Sequence, residues 1–230
     1  MEQLVTERPL YRLIQYVYYF FLTNIYFLLA NVLYLFVFSL FELRLENILV
    51  FYVGALPAGP AIAAMYASMG KLVRHQSIQP TKDFWHYYRL NFAIATKFWL
   101  LFSTMIAIML VDIYYVNTRI PWLTPVFIAI IVCGCLLMMY GFPILSRFEV
   151  KVKNLLIVSI YATFKYVKTT ILNVTTVIAL AVIYVFAPGI TMWFFMSVGV
   201  FFMMFNMQMP LHHLQETVSS EKTQTRADEE

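Results

Sequence analysis

From Thr169 to Gln215 the chain runs for 47 residues without an Asp, Glu, Lys or Arg. A membrane-spanning helix needs about 20 apolar residues, within a range of roughly 17–25. The run is too long for one crossing and right for two, with Pro188-Gly189 marking the turn between them. Four more stretches read the same way: Leu13 to Phe41, Ile48 to Gly70, Phe92 to Val116 (with Lys97 and Asp112 near its ends), and Ile120 to Ser146. The expected fold class is therefore all-α, a polytopic membrane protein with about six transmembrane helices at 14–41, 48–70, 92–116, 120–146, 169–187 and 190–211. These form a single helical membrane domain over residues 1–214. Residues 215–230 are polar and lack aromatics, and are expected to be a disordered cytoplasmic tail. The first run is too long for a signal peptide and no small-residue cleavage site follows it.

Composition says why no soluble alternative competes. Only 12% of residues are charged and 62% are hydrophobic, where a soluble domain carries about 25% charged residues. Such a chain cannot cover a globule with a solvated surface, which excludes a soluble enzyme, a nucleic-acid binder and a disordered scaffold. Loop charges set the orientation. With the N-terminus inside, the inner segments hold 14 of the 16 Lys and Arg residues, and the outer loops hold only Arg44 and Arg119. That is a positive-inside pattern with both termini cytoplasmic.

The two long inner segments look amphipathic. After Pro80, Thr81 is placed to cap a helix, with Asp83 in its first turn. Phe84, Trp85 and Tyr88 make an apolar stripe against Lys82, His86 and Arg89, as expected of a helix lying along the inner interface. Asn154 is placed to cap a second one, with Leu156, Ile160, Phe164 and Val167 on one face beside Lys165 and Lys168. Each unit is a Pro-containing span, a basic turn, an interfacial helix and a returning span. The pairing of Lys71/Arg74 with Arg147/Lys151 suggests an internal duplication in parallel orientation.

Catalytic chemistry has little to stand on. No P-loop, H-E-x-x-H or G-x-S-x-G motif occurs, so no catalytic, cofactor-binding or metal-ligating residue is assigned and no cofactor is expected. Among possible intramembrane acids only Asp112 stands out, near the outer end of its span. Cys133 and Cys135 read as small packing residues, since two residues apart on a helix they diverge. His212 and His213 read as an interfacial cap. Asn24 and Asn31, seven apart, share a face suited to interhelical hydrogen bonding or, less commonly, to a polar path. Lys97 reads as a snorkelling side chain.

The stretch from Gly54 to Ser68 is different. Gly59, Ala63 and Ala67 recur every four residues and make a flat face on which another backbone can lie closely. Pro57 and Pro60 each remove a backbone donor, so they are hinge candidates, with Pro143 a third. The face either packs inside the six-helix bundle or docks a partner. As docking residues the sequence nominates Gly59, Ala63 and Ala67 in the membrane, with Phe84, Trp85 and Arg89 at the inner surface.

The run Leu56-Pro57-x-Gly59-Pro60-Ala61-x-x-Ala64-Met65-Tyr66, followed by a basic turn, Asp83-Phe84-Trp85, Asn91-Phe92 and Trp99, resembles the YesL-like family of bacterial membrane proteins. Phe142-Pro143 and Arg147-Phe148 extend the resemblance into the second half. The inner turn departs from the pattern: His75-Gln76-Ser77-Ile78 stands where a Gly-containing turn is expected. The resemblance implies a bacterial plasma-membrane protein of unassigned biochemical activity, encoded beside carbohydrate importers of the ATP-binding-cassette (ABC) type. It supplies no catalytic residues. Ala63-Ala64, Gly70 and Ile78-x-Pro80 imitate pieces of the coupling loop of importer permeases, but the glutamate is missing and the spacing is wrong. The expectation is a non-enzymatic accessory protein, with the lipid bilayer and the permease subunits of a carbohydrate ABC importer as partners. A homo-oligomer stays open and nucleic acid is excluded. The alternative is a stand-alone small-solute transporter or channel.

Overall fold

The computed structural model describes residues 9–216, and among them every regular element is helical. The α-helices are α1 (Pro9–Ala30), α2 (Val32–Leu40), α3 (Ile48–Gly54), α4 (Ala58–His75), α5 (Pro80–Leu90), α6 (Phe92–Arg119), α7 (Thr124–Arg147), α8 (Val152–Lys165), α9 (Val167–Phe186), α10 (Pro188–Thr191) and α11 (Phe195–Asn206). Helix resumes over 208–216 after a turn at Met207. The tail expected at 215–230 falls, from 217 onward, outside the described residues.

Four helical segments are long and apolar enough to cross a membrane: Leu10–Ala30, Phe92–Arg119, Pro121–Arg147 and Val167–Phe186. A fifth arises if Leu45–Gly54 and Ala58–His75, bent by 51°, are one broken span. The chain is a polytopic membrane protein embedded in a lipid bilayer. Two further expected spans come out divided. At Asn31 the side-chain amide donates to the Phe27 carbonyl at 2.8 Å; this local bond competes with the helical ladder, and the stretch 14–41 becomes α1 and α2. Pro188 lacks the donor that would continue α9, and the last stretch, 190–211, holds the end of α10, a turn at 192–194 and the 12-residue α11.

The core is built around α4. Ala61, Ala63, Ala64, Met65, Met69 and Leu72 are all fully buried. Small side chains on several faces let neighbouring backbones approach, and α4 packs against α1, α5, α6, α7 and α11. Phe98, Phe102, Tyr140, Met204, Met207 and Leu211 close the rest of the interior. The periphery is apolar too: Ile171, Ile178, Val182 and Val185 of α9 are exposed, which is the surface that lipid requires.

The turn after α4 departs from the family pattern for a visible reason. Gln76 ends α4 with φ 54° and ψ 12°, the left-handed region, and its N–H donates to the Leu72 carbonyl at 2.8 Å. Glycine is the ordinary residue there; a side chain costs roughly 1–2 kcal/mol.

Candidate functional site

The small-residue face is spent inside the protein. A Cβ on Gly59 would run into Trp99 Cβ and come within 2.9 Å of the Ala95 carbonyl oxygen, so only glycine lets α4 and α6 approach this closely. Ala63 and Ala67 are buried as well. Trp99 uses the approach: its indole N–H donates to the Ala55 carbonyl at 2.8 Å, in the break between α3 and α4. Pro57 sits in that break and Pro60 in the first turn of α4, where its missing donor is harmless. Pro143 lies within α7, which continues to Arg147. The bend at Pro57 is thus a built feature of the fold, latched by Trp99.

Beyond the end of α4, α5 begins at Pro80 with Gln79 as its N-cap. Thr81 does not cap it; its hydroxyl lies 2.7 Å from that of Tyr26 and ties α5 to α1. Asp83 closes the helix start instead, accepting from the Gln79 N–H at 2.9 Å. The same carboxylate accepts from Lys71 Nζ through both oxygens, at 2.8 and 2.9 Å. Asp83 is nearly buried and Lys71 about one-third exposed, so this ion pair clamps α5 onto the end of α4 with little solvent screening. Phe84 is wholly buried, half of an aromatic cluster with Tyr26, Trp85 and Tyr88. Of the six nominated docking residues, four (Gly59, Ala63, Ala67 and Phe84) are therefore covered by the chain itself. Trp85 is half-buried and Arg89 exposed, and a partner could reach these two.

Helix α8 has a second apolar face besides the one read from its spacing. It starts at Val152, ahead of Asn154, and buries Leu155, Ser159 and Ala162. Ile160, Phe164 and Val167 point outward together with Ile157 and Tyr161. The helix is apolar on two sides, one for α7 and one for lipid.

Buried polar groups serve the fold. Asn24 donates its amide to the Met192 carbonyl at 3.2 Å and accepts from the Ser197 N–H at 3.4 Å. One side chain thereby satisfies backbone groups freed at the turn between α10 and α11. Tyr140 donates to the Tyr166 carbonyl at 2.9 Å and lies 2.7 Å from Thr170 Oγ1, joining α7 to the start of α9. Asn173 accepts from Asn206 at 3.0 Å. Cys133 and Cys135 are exposed on the bundle surface rather than packed within it. His212 pairs with Glu216 at 3.2 Å. Among the described residues no group of three or more His, Cys, Asp or Glu is placed to hold a metal ion.

Two of the depressions adjoin these elements. An apolar one of about 310 Å³ lies among Tyr66, Trp99, Met138, Phe142, Met196 and Met203; the Tyr66 hydroxyl donates to Met203 Sδ at 2.9 Å. A polar one of about 570 Å³ lies where the ends of α4 and α7 meet α5 and is lined by Arg74, Tyr87, Asn91, Arg147, Glu149 and Lys151 among others. The interhelical hydrogen bonding of Asn24 was legible in the sequence, but its partners and the polar depression were not. The paired basic turns were the one available signal for the depression.

Residues 20–113, from within α1 to near the end of α6, match a family described as "Protein of unknown function, DUF624". No curated protein and no solved structure matches the chain.

Proposed function

We propose that the whole chain, beyond the matched residues 20–113, is a YesL-like protein of the bacterial plasma membrane, and that it is a non-enzymatic accessory of a carbohydrate ABC importer. In this reading it crosses the membrane six times with both termini inside. The divided last stretch, α10 to residue 216, makes the sixth crossing, and α5 and α8 lie along the inner interface.

The observation that carries the reading is the closed interior. Met65, Met69, Phe98, Tyr140, Met204 and Met207 fill the bundle, and the buried Asn24 and Asn173 both bond within the protein, Asn173 through its oxygen while its amide nitrogen stays unpaired. A hydrophilic solute finds no polar lining to follow, so a role beside another transporter fits better than transport by this chain alone. The clamped α5 supports it further: Lys71–Asp83 and Tyr26–Thr81 hold the helix still while Trp85 and Arg89 remain within a partner's reach. An aromatic beside an arginine is the composition of an interface hot spot.

The test is extraction from the native membrane in mild detergent, followed by mass spectrometry of what co-purifies. Permease subunits in stoichiometric yield, lost on Trp85→Ala/Arg89→Ala, are the expected result. Recovery of the chain alone, or only as a homo-oligomer, refutes it. The second reading, a stand-alone transporter, is favoured by the broken helices, since broken helices recur at transporter binding sites. It requires that purified protein in liposomes move a solute unaided.

A further inference from the structure

We propose that the 570 Å³ depression at the junction of α4, α5 and α7 binds a phosphate group, with Arg74 and Arg147 as the paired ligands, Lys151 as a supporting charge, and Tyr87 and Asn91 as neutral donors. The two arginines stand at corresponding places in the chain, each in the last turn of a long helix that precedes a short one. A single arginine in the last turn of a helix is explained by the helix dipole. Here two are brought to one depression, close enough for their charges to repel. Among the described residues neither has a carboxylate partner. Arg147 donates to the neutral Oε1 of Gln215 at 2.6 Å, while Asp83 and Glu216 are engaged by Lys71 and His212.

Glu149 also lines the depression, so three bases face one acid. An anion between the guanidiniums would remove their repulsion and accept a planar pair of N–H donors from each, the geometry in which arginine meets phosphate. The remaining wall is apolar, from Leu90, Ile94, Leu145 and Phe148. A wall of that kind suits a phosphate carried on a hydrophobic body. Basic pockets between transmembrane helices are known to take anionic lipid headgroups. A free phosphate or soluble phosphate monoester would use the same two arginines, and the experiment separates these sources.

Full-length protein in a neutral detergent is titrated with phosphatidylglycerol, with zwitterionic phosphatidylcholine and with inorganic phosphate. Binding is followed by native mass spectrometry and by protection against thermal unfolding. We expect phosphatidylglycerol to bind in preference to phosphatidylcholine. Affinity should fall about ten-fold or more in Arg74→Gln/Arg147→Gln and several-fold in Arg147→Lys, which keeps the charge and loses the fork. Lys82→Gln/Lys168→Gln, two exposed bases outside the depression, should leave it within about two-fold. Should the double glutamine variant fail to fold, Arg74→Lys/Arg147→Lys decides, since it preserves charge and size. If inorganic phosphate binds and competes, the ligand is a free or soluble phosphate; if only phosphatidylglycerol binds, it is a headgroup. Equal binding of the two lipids, or wild-type affinity in the arginine variants, overturns the proposal.

Discussion

Gly59→Ala and Gly70→Ala add the same methyl group to the same helix and should differ sharply in outcome. At Gly59 the new Cβ meets Trp99 Cβ and the Ala95 carbonyl oxygen at 2.9 Å, where ordinary contact begins at 3.4 Å. The carbonyl belongs to the α6 backbone and Trp99 Cβ is fixed to it, so neither can rotate away. The two helices must part by at least 0.5 Å to reach 3.4 Å from the carbonyl. Overpacking of this kind costs about 1–3 kcal/mol, and losing the Trp99–Ala55 hydrogen bond adds about 1 kcal/mol. At Gly70 the new Cβ lies 2.5 Å from Met204 Cε and 3.2 Å from Arg74 Nη1, both the far ends of flexible side chains. Methionine rearranges readily, so the cost there should stay below about 1 kcal/mol. Thermal unfolding in detergent, read by loss of the monodisperse peak in size exclusion, should place Gly59→Ala about 4–12 °C below wild type and Gly70→Ala within about 3 °C. Helix propensity favours both substitutions alike and does not disturb the comparison. Equal melting temperatures for the two variants would refute the claim that a backbone wall, rather than proximity itself, makes Gly59 necessary.

Gln76→Gly should raise the melting temperature, by the equivalent of about 1 kcal/mol, because it relieves the left-handed strain at φ 54°; a lower value would argue against that strain. Asn24→Leu should cost about 1–3 kcal/mol, since it leaves the Met192 carbonyl and the Ser197 N–H without their partner. Asn31→Leu loses only a bond within its own helix and should cost less than half as much in the same melting assay. A double-mutant cycle on Lys71→Met and Asp83→Asn should return a coupling of about 1–3 kcal/mol, as expected for a pair mostly withheld from water; a coupling near zero would mean that α5 is held by its aromatic cluster alone.

Hydropathy by itself located the membrane helices well. The stretches expected at 92–116, 120–146 and 169–187 appear as Phe92–Arg119, Thr124–Arg147 and Val167–Phe186. Insertion into lipid depends on the summed apolarity of a local segment, and that sum is written in consecutive residues. The short helix after Pro80 was legible for a similar reason, from its proline, its acid and its aromatic spacing. Which side of a helix faces inward was not. In water an apolar stripe marks the core, but lipid is as apolar as a core, so inner and outer faces of a membrane helix carry the same residue types. Gly59, Ala63 and Ala67 therefore read equally as a docking face or a packing face, and tertiary structure turned them onto α6 and their neighbours. The same ambiguity let Phe84 pass for a surface residue and hid the second, buried face of α8. Polar partnerships were hidden by distance along the chain. Asn24 meets Ser197 and Arg74 shares its depression with Arg147 only because helices far apart in sequence are packed side by side.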